Sequence, residues 1–129
     1  MADKVEVGHL RNLRVYSLAL DTVVRTANLL GRTRWGERQY LREQLLRATS
    51  SVPANIAEGH ARGGLADCNR FLVIAKGSAS EASHHLEEAR LLGLIDAKSA
   101  LELQGRHDVS ERMLNRLIKT RKESPPRGD

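Results

Sequence analysis

Aromatic residues are nearly absent from this chain: Tyr16, Trp35, Tyr40 and Phe71 are the only four among 129 residues. Any core must therefore be built from Leu, Ile, Val and Ala, which suits helices packed on helices and leaves little scope for base stacking. Cysteine is represented by Cys68 alone. That excludes an internal disulfide and fits a reducing compartment. Proline occurs only at 53, 125 and 126, so the 71 residues from 54 to 124 contain no helix breaker of that kind. Long hydrophobic runs are missing too. The longest, "FLVIA" at 71–75, is far too short to cross a bilayer, and "MADKVEVGHL" lacks the apolar centre of a signal peptide. One soluble, cytoplasmic domain is expected.

What the chain has in excess is positive charge. Lys and Arg number 21 against 16 Asp and Glu, a net charge of +5, and sixteen of the cations are arginines. Guanidinium groups favour bidentate contact with phosphate or carboxylate, so an anionic partner is one reading. The other is a bundle whose arginines pair with its own acids.

Apolar positions recur in steps of three and four along four segments, the pattern of amphipathic helices. Leu13, Tyr16, Leu20, Val23, Ala27 and Leu30 form the first stripe, which stops at Gly31. Residues 36–58 carry Leu41, Leu45, Ala48, Val52 and Ile56; residues 65–92 carry Phe71, Ala75, Ser78, Ala82, His85, Ala89 and Leu92, ending at Gly93. Asp96 can cap the fourth helix, with Leu103, His107, Ser110, Leu114 and Leu117 inward and Met113 and Ile118 beside them. No strand pattern competes. Four helices with short connections predict an all-α, antiparallel up-down-up-down four-helix bundle over residues 10–121. Residues 1–9 read as a flexible N-terminus and 122–129 as a disordered polar tail.

Two stretches are more apolar than a solitary bundle needs. Val15, Leu18, Val24 and Leu29 lie off the first stripe, and "FLVIA" is apolar on every side. A helix apolar all round is buried all round, which points to self-association.

The stretch "SSVPANIAEGHARGG" at 50–64 places Pro53 inside the second helical pattern, where the carbonyl of Thr49 loses its usual partner. Gly59 is expected to end that helix. Folding the third helix back about a turn near residue 62 sets Ala48 opposite Gly77 and brings Asn55 and Glu58 close to Arg70. Pro53, Asn55, Glu58 and Gly59 thus form a structural corner, with Glu58–Arg70 as its ion pair. A Walker-type phosphate loop does not fit, since lysine and strand are both missing. Gly59, Gly63 and Gly64 do precede a helix N-terminus, a weak anion-binding signal.

Catalytic constellations are thin. Glu81-x-x-His84 has the spacing of di-metal carboxylate bundles, but those need a second copy and two further inward glutamates. Glu102 and His107 are wrongly spaced, and His85 reads as a core histidine. Cys68 has no histidine near it in sequence beyond His60. No catalytic residue, metal site or cofactor is expected. Basic surface is the better lead: one pole of the bundle gathers Arg11, Arg14, Arg62, Arg70, Arg116, Lys119, Arg121 and Lys122 against Glu58, Asp67 and Glu123. The opposite pole has Arg32, Arg34, Arg38, Arg42 and Arg90, diluted by Glu37, Glu43, Glu87, Glu88, Asp96 and Glu102.

Three stretches carry a resemblance: "LRVYSLAL", "QLLRATSSVPANIAEGHARGG" and "NRFLVIAKGSASEASHHLEEARLLGLID". Over residues 10–121 the chain resembles the bacterial four-helix-bundle proteins encoded by intervening sequences of large-subunit ribosomal RNA. The same superfamily includes the accessory variability proteins of diversity-generating retroelements. The resemblance implies a ring-shaped homopentamer with a basic surface and central pore, no enzymatic activity, and association with RNA or DNA. For retroelement members it also implies a reverse transcriptase as partner. Arg62, Arg70 and Lys76 match positions of the basic surface. Gly64 departs from the pattern, which usually has a capping serine there.

Overall fold

The computed structural model describes residue 10 and residues 13–123, the last three as backbone alone. Residues 1–9 and 124–129, assigned above to the flexible N-terminus and the tail, lie outside the described residues, as does Arg11. Every regular element among the described residues is helical: α1 Arg14–Gly31, one 3-10 turn Gly36–Arg38, α2 Gln39–His60, α3 Leu65–Leu91 and α4 Ala97–Glu123. The last helix continues two residues past the expected boundary at 121.

Consecutive helices pack on each other and α1 closes on α4. Cross-helix bonds fix the antiparallel sense. Ser51 on α2 meets Ser78 on α3 at 2.8 Å, Arg25 on α1 reaches Glu102 on α4 at 3.0 Å, and Gln104 on α4 donates to the carbonyl of Ser83 on α3 at 3.1 Å. The corners follow local chemistry. Trp35 is buried between α1 and α2 and donates Nε1–H to the Leu30 carbonyl at 3.0 Å. After α3, Gly93 adopts φ +76°, the left-handed conformation that ends a helix with little strain only at glycine. Asp96 accepts from the Ser99 amide at 3.0 Å, as its expected capping role requires; the Ser99 side chain first, and then this amide, hold its carboxyl below the usual range.

The core is split in two. One apolar cluster holds Leu30, Trp35, Leu41, Leu45, Leu86 and Leu103; the other holds Val15, Val52, Ile56, Cys68, Leu72 and Leu114. Between them runs a waist of buried polar residues, one or two from each helix: Thr22 and Thr26, Thr49, Ser78, and His107 with Ser110. Thr22 and Thr49 satisfy their hydroxyls on their own helices, at the carbonyls of Leu18 (2.7 Å) and Leu45 (2.8 Å).

The stripe expected for α2 is the buried one, and that of α4 is buried from Leu103 to Leu114, with Leu117 half-buried. That of α1 is rotated. Its core face is Val15, Ala19, Thr22, Thr26, Leu29 and Leu30, so Val15 and Leu29 point inward. Leu20, Val24 and Ala27 point outward, Val24 at 57% exposure. The physical reason is that two threonines occupy the core face, while the surplus aliphatics cover another. In "FLVIA", Leu72 and Ala75 are buried but Val73 (53% exposed) and Ile74 face out of the single chain. No helix among the described residues is long and apolar enough to cross a membrane.

Candidate nucleic-acid interface

The α2–α3 corner is built differently from the register expected for it. Pro53 does lie inside α2 and is buried. Two residues later Asn55 donates Nδ2–H to the Ser51 carbonyl (2.8 Å) and to Ser51 Oγ (2.9 Å), and Ser51 Oγ hydrogen-bonds Ser78 Oγ. The polar clasp therefore runs Asn55–Ser51–Ser78 and does not include Arg70. Gly59 does not end α2, which continues to His60. A Cβ on Gly59 would stand 2.9 Å from the Cys68 carbonyl oxygen and 3.0 Å from Phe71 Cβ, so here the two helices approach closely. Gly77, expected opposite Ala48, faces away with nothing near its Cβ position.

The expected Glu58–Arg70 pair is replaced by a local relay. Glu58 sits 3.4 Å from Arg62 one helical turn on, while Asp67 takes Arg70 at 2.9 Å and Arg62 at 3.7 Å. Both guanidinium groups lie over the Phe71 ring, 4.8 Å (Arg62) and 4.5 Å (Arg70) from its centroid. Phe71, placed on the core stripe by periodicity, is half-buried and serves as the platform for this pair. Two cations and two acids leave the cluster formally neutral. The α3 N-terminus carries its own Asp67 carboxylate in the first turn, whose negative charge disfavours an outside anion there.

Arginines along the helix seams are likewise taken. Asp21 accepts from Arg25 at 2.8 Å and from Arg106, and Arg106 also donates to Thr22 Oγ1 at 3.2 Å. The hydrogen bond from Arg25 holds the Asp21 carboxyl below its usual value. Glu87 binds Arg90 through both oxygens, at 2.9 and 2.7 Å, and is lowered in the same way. Arg25 and Arg106 thus link α1 to α4, whereas Arg90 pairs within α3.

Arg14, Arg116 and Lys119 are exposed and make no ion pair among the described residues. A groove of about 350 Å³ between the start of α1 and the end of α4 is lined by Arg14 and Arg116 together with Leu13, Val15, Met113 and Leu117. Lys76 is half-buried, six residues beyond Arg70. Arg121 and Lys122 continue α4 at the same pole, with only their backbone described. At the opposite pole Arg34, Arg38 and Arg42 also lack an ion pair among the described residues, so the acids there do not neutralise them by contact. Cys68 is 3% exposed beneath the corner, where an outside substrate cannot meet its thiol. One grouping escaped the sequence reading: His84, His85 and Glu88 converge on α3, through a His-His-x-x-Glu spacing that differs from the Glu-x-x-His motif considered.

Residues 11–116 match the family model described as 23S rRNA-intervening sequence protein. The chain is similar to a crystal structure of a protein of unknown function from the S23 ribosomal protein family of Bacteroides thetaiotaomicron VPI-5482. The two are 26% identical over 81% of this chain and 98% of that one, with a TM-score of 0.73. No curated protein matches the sequence.

Proposed function

The chain belongs to the 23S rRNA-intervening sequence protein family, and on that premise we propose that it acts without catalysis, as a self-assembling basic protein that holds nucleic acid by its phosphates. The observation that carries this reading is the set of exposed cations without an acid partner among the described residues, Arg14, Arg116 and Lys119 at one pole. Repeated around a ring, that pole becomes a concentrated surface for a polyanion. Scarce aromatics make phosphate contact, rather than base stacking, the main source of affinity. In its fuller form the proposal is a cytoplasmic homopentamer that brings RNA or DNA to a reverse transcriptase, following the likeness to retroelement accessory proteins. The same surface would serve a ribosomal RNA intervening-sequence protein. No cofactor enters the proposal.

A second reading, a protein-binding scaffold without nucleic acid, is favoured by one observation. Arg62 and Arg70, two of the matched basic positions, are already neutralised by Glu58 and Asp67. Titrating the full chain with single-stranded RNA and duplex DNA at two salt concentrations separates the two. The proposal expects binding that weakens steeply with salt. Reversing Arg14, Arg116 and Lys119 to glutamate should flatten the RNA salt slope by about 0.7 per lost phosphate contact. Absence of binding at low salt leaves the scaffold.

A further inference from the structure

Helix α3 carries a set of donor atoms that the basic surface does not use. Glu88 Oε1 lies 3.5 Å from His85 Nδ1 and 3.9 Å from His84 Nε2. One ligand atom from each of the three residues falls within 4.8 Å of the other two. The helix makes this convergence, since Glu88 is one turn from both histidines at i+4 and i+3. His85 is only 8% exposed, and its Nδ1 is buried with no hydrogen-bond partner. On the far side of that ring, Nε2 faces Glu81 Oε1 at 3.9 Å. His84 is exposed, so the grouping opens to solvent on one side.

A buried imidazole nitrogen seldom goes without a partner, because its desolvation is then uncompensated. At 3.5 Å, Glu88 is too distant to supply a good hydrogen bond. A single ion would satisfy both groups. Metal–ligand bonds of about 2.0–2.2 Å in a tetrahedral shell place neighbouring donor atoms roughly 3.3–3.6 Å apart. Glu88 already stands 3.5 and 3.9 Å from the two histidine nitrogens, and the widest pair, within 4.8 Å, closes by about 1 Å on binding. Two imidazoles and one carboxylate suit zinc, copper or nickel, whereas calcium and magnesium require oxygen ligands. Glu81 lies on the side of the ring where the outer carboxylate of a carboxylate–histidine–metal arrangement belongs, although at 3.9 Å it makes no hydrogen bond to Nε2.

We propose that His84 Nε2, His85 Nδ1 and Glu88 Oε1 form a three-ligand site for one zinc-class divalent ion, with the remaining coordination position open to water or an exchangeable ligand. The site is independent of nucleic-acid binding. It lies on α3 about two turns beyond Lys76 and shares no residue with the basic pole.

The test uses the full chain without an affinity tag, titrated calorimetrically with Zn²⁺ and followed in parallel by the visible spectrum of added Co²⁺. The expected result is one equivalent per chain and a cobalt spectrum without thiolate charge transfer, which would betray Cys68. His84→Ala and Glu88→Gln should each weaken binding at least about tenfold, a lower bound taken from the loss of outer partners in other metal sites. His60→Ala should bind as the parent does. Thermal melts without metal report whether each variant is folded, and added zinc should raise the midpoint of the parent but not of His84→Ala. No uptake of zinc would overturn the proposal and leave Glu88 as a simple ion-pair partner of the histidines. Uptake unchanged in both His84→Ala and Glu88→Gln would overturn it equally.

Discussion

His107 occupies the polar waist at 2% exposure, with Nε2 buried and without a hydrogen-bond partner. Burial pushes its pKa down from 6.5 to about 4; the nearby Arg106 charge acts in the same direction, and Asp108 opposes it. The neutral ring is thus the form that folds. Between pH 6.5 and 4 the unfolded chain binds a proton that the folded chain refuses, so stability rises with pH across that window. It is greatest above 6.5 and lost as the pH falls toward 4, by about 3 kcal/mol for this one group. Urea unfolding at pH 7 and pH 4.5 should show a marked loss of stability for the parent. His107→Leu should be less sensitive to the same change. Equal sensitivity in both proteins would mean that the imidazole is not the buried titrating group.

Helix by helix, the chain was legible where aliphatic residues alone make the buried face. Leu41, Leu45, Ala48, Val52 and Ile56 read directly as the inner face of α2, and Leu103 and Leu114 with His107 and Ser110 as that of α4. Helix α1 was not, because Thr22 and Thr26 hold core positions that apolar counting skips, while Leu20 and Val24 are outside. The α2–α3 register slipped for another reason. Ser51 meets Ser78 and Gly59 meets Cys68, which centres the turn near residue 64 rather than 62. A shift of two residues is enough to exchange Gly77 for Gly59 as the point of contact; the Glu58–Arg70 pair is lost for a different reason, since Asp67 takes Arg70 within α3 and Glu58 takes Arg62. Two glycine substitutions test this register. Gly59→Ala drives a methyl group against the Cys68 carbonyl and should destabilise the protein by about 1–3 kcal/mol. Gly77→Ala meets nothing and removes backbone entropy from the unfolded chain, so it should stabilise by about 0.5–1 kcal/mol. Thermal or urea unfolding of the two variants would reveal the opposite signs; the reverse order would restore the first register.

For the whole molecule, fold and family were legible, whereas the identity of the binding residues was less so. Charge counting cannot tell an arginine that fastens a seam, such as Arg25 or Arg106, from one without an ion pair among the described residues, such as Arg14 or Arg116. Only the packing separates them. The same packing leaves Leu20 and Val24 on α1, and Val73 and Ile74 on α3, facing outward from a single bundle. Apolar groups grouped on helix faces in this way favour association. In the proposed account this is what gathers the free cations of several chains on one surface.

Light scattering of the full chain in dilute solution tests that account most directly. It predicts a particle of about five times the 14.3 kDa chain mass. Val24→Glu combined with Val73→Glu should release folded monomers, because both sites are exposed in the single chain. A parent protein that remains a stable, helical monomer at every concentration would contradict it.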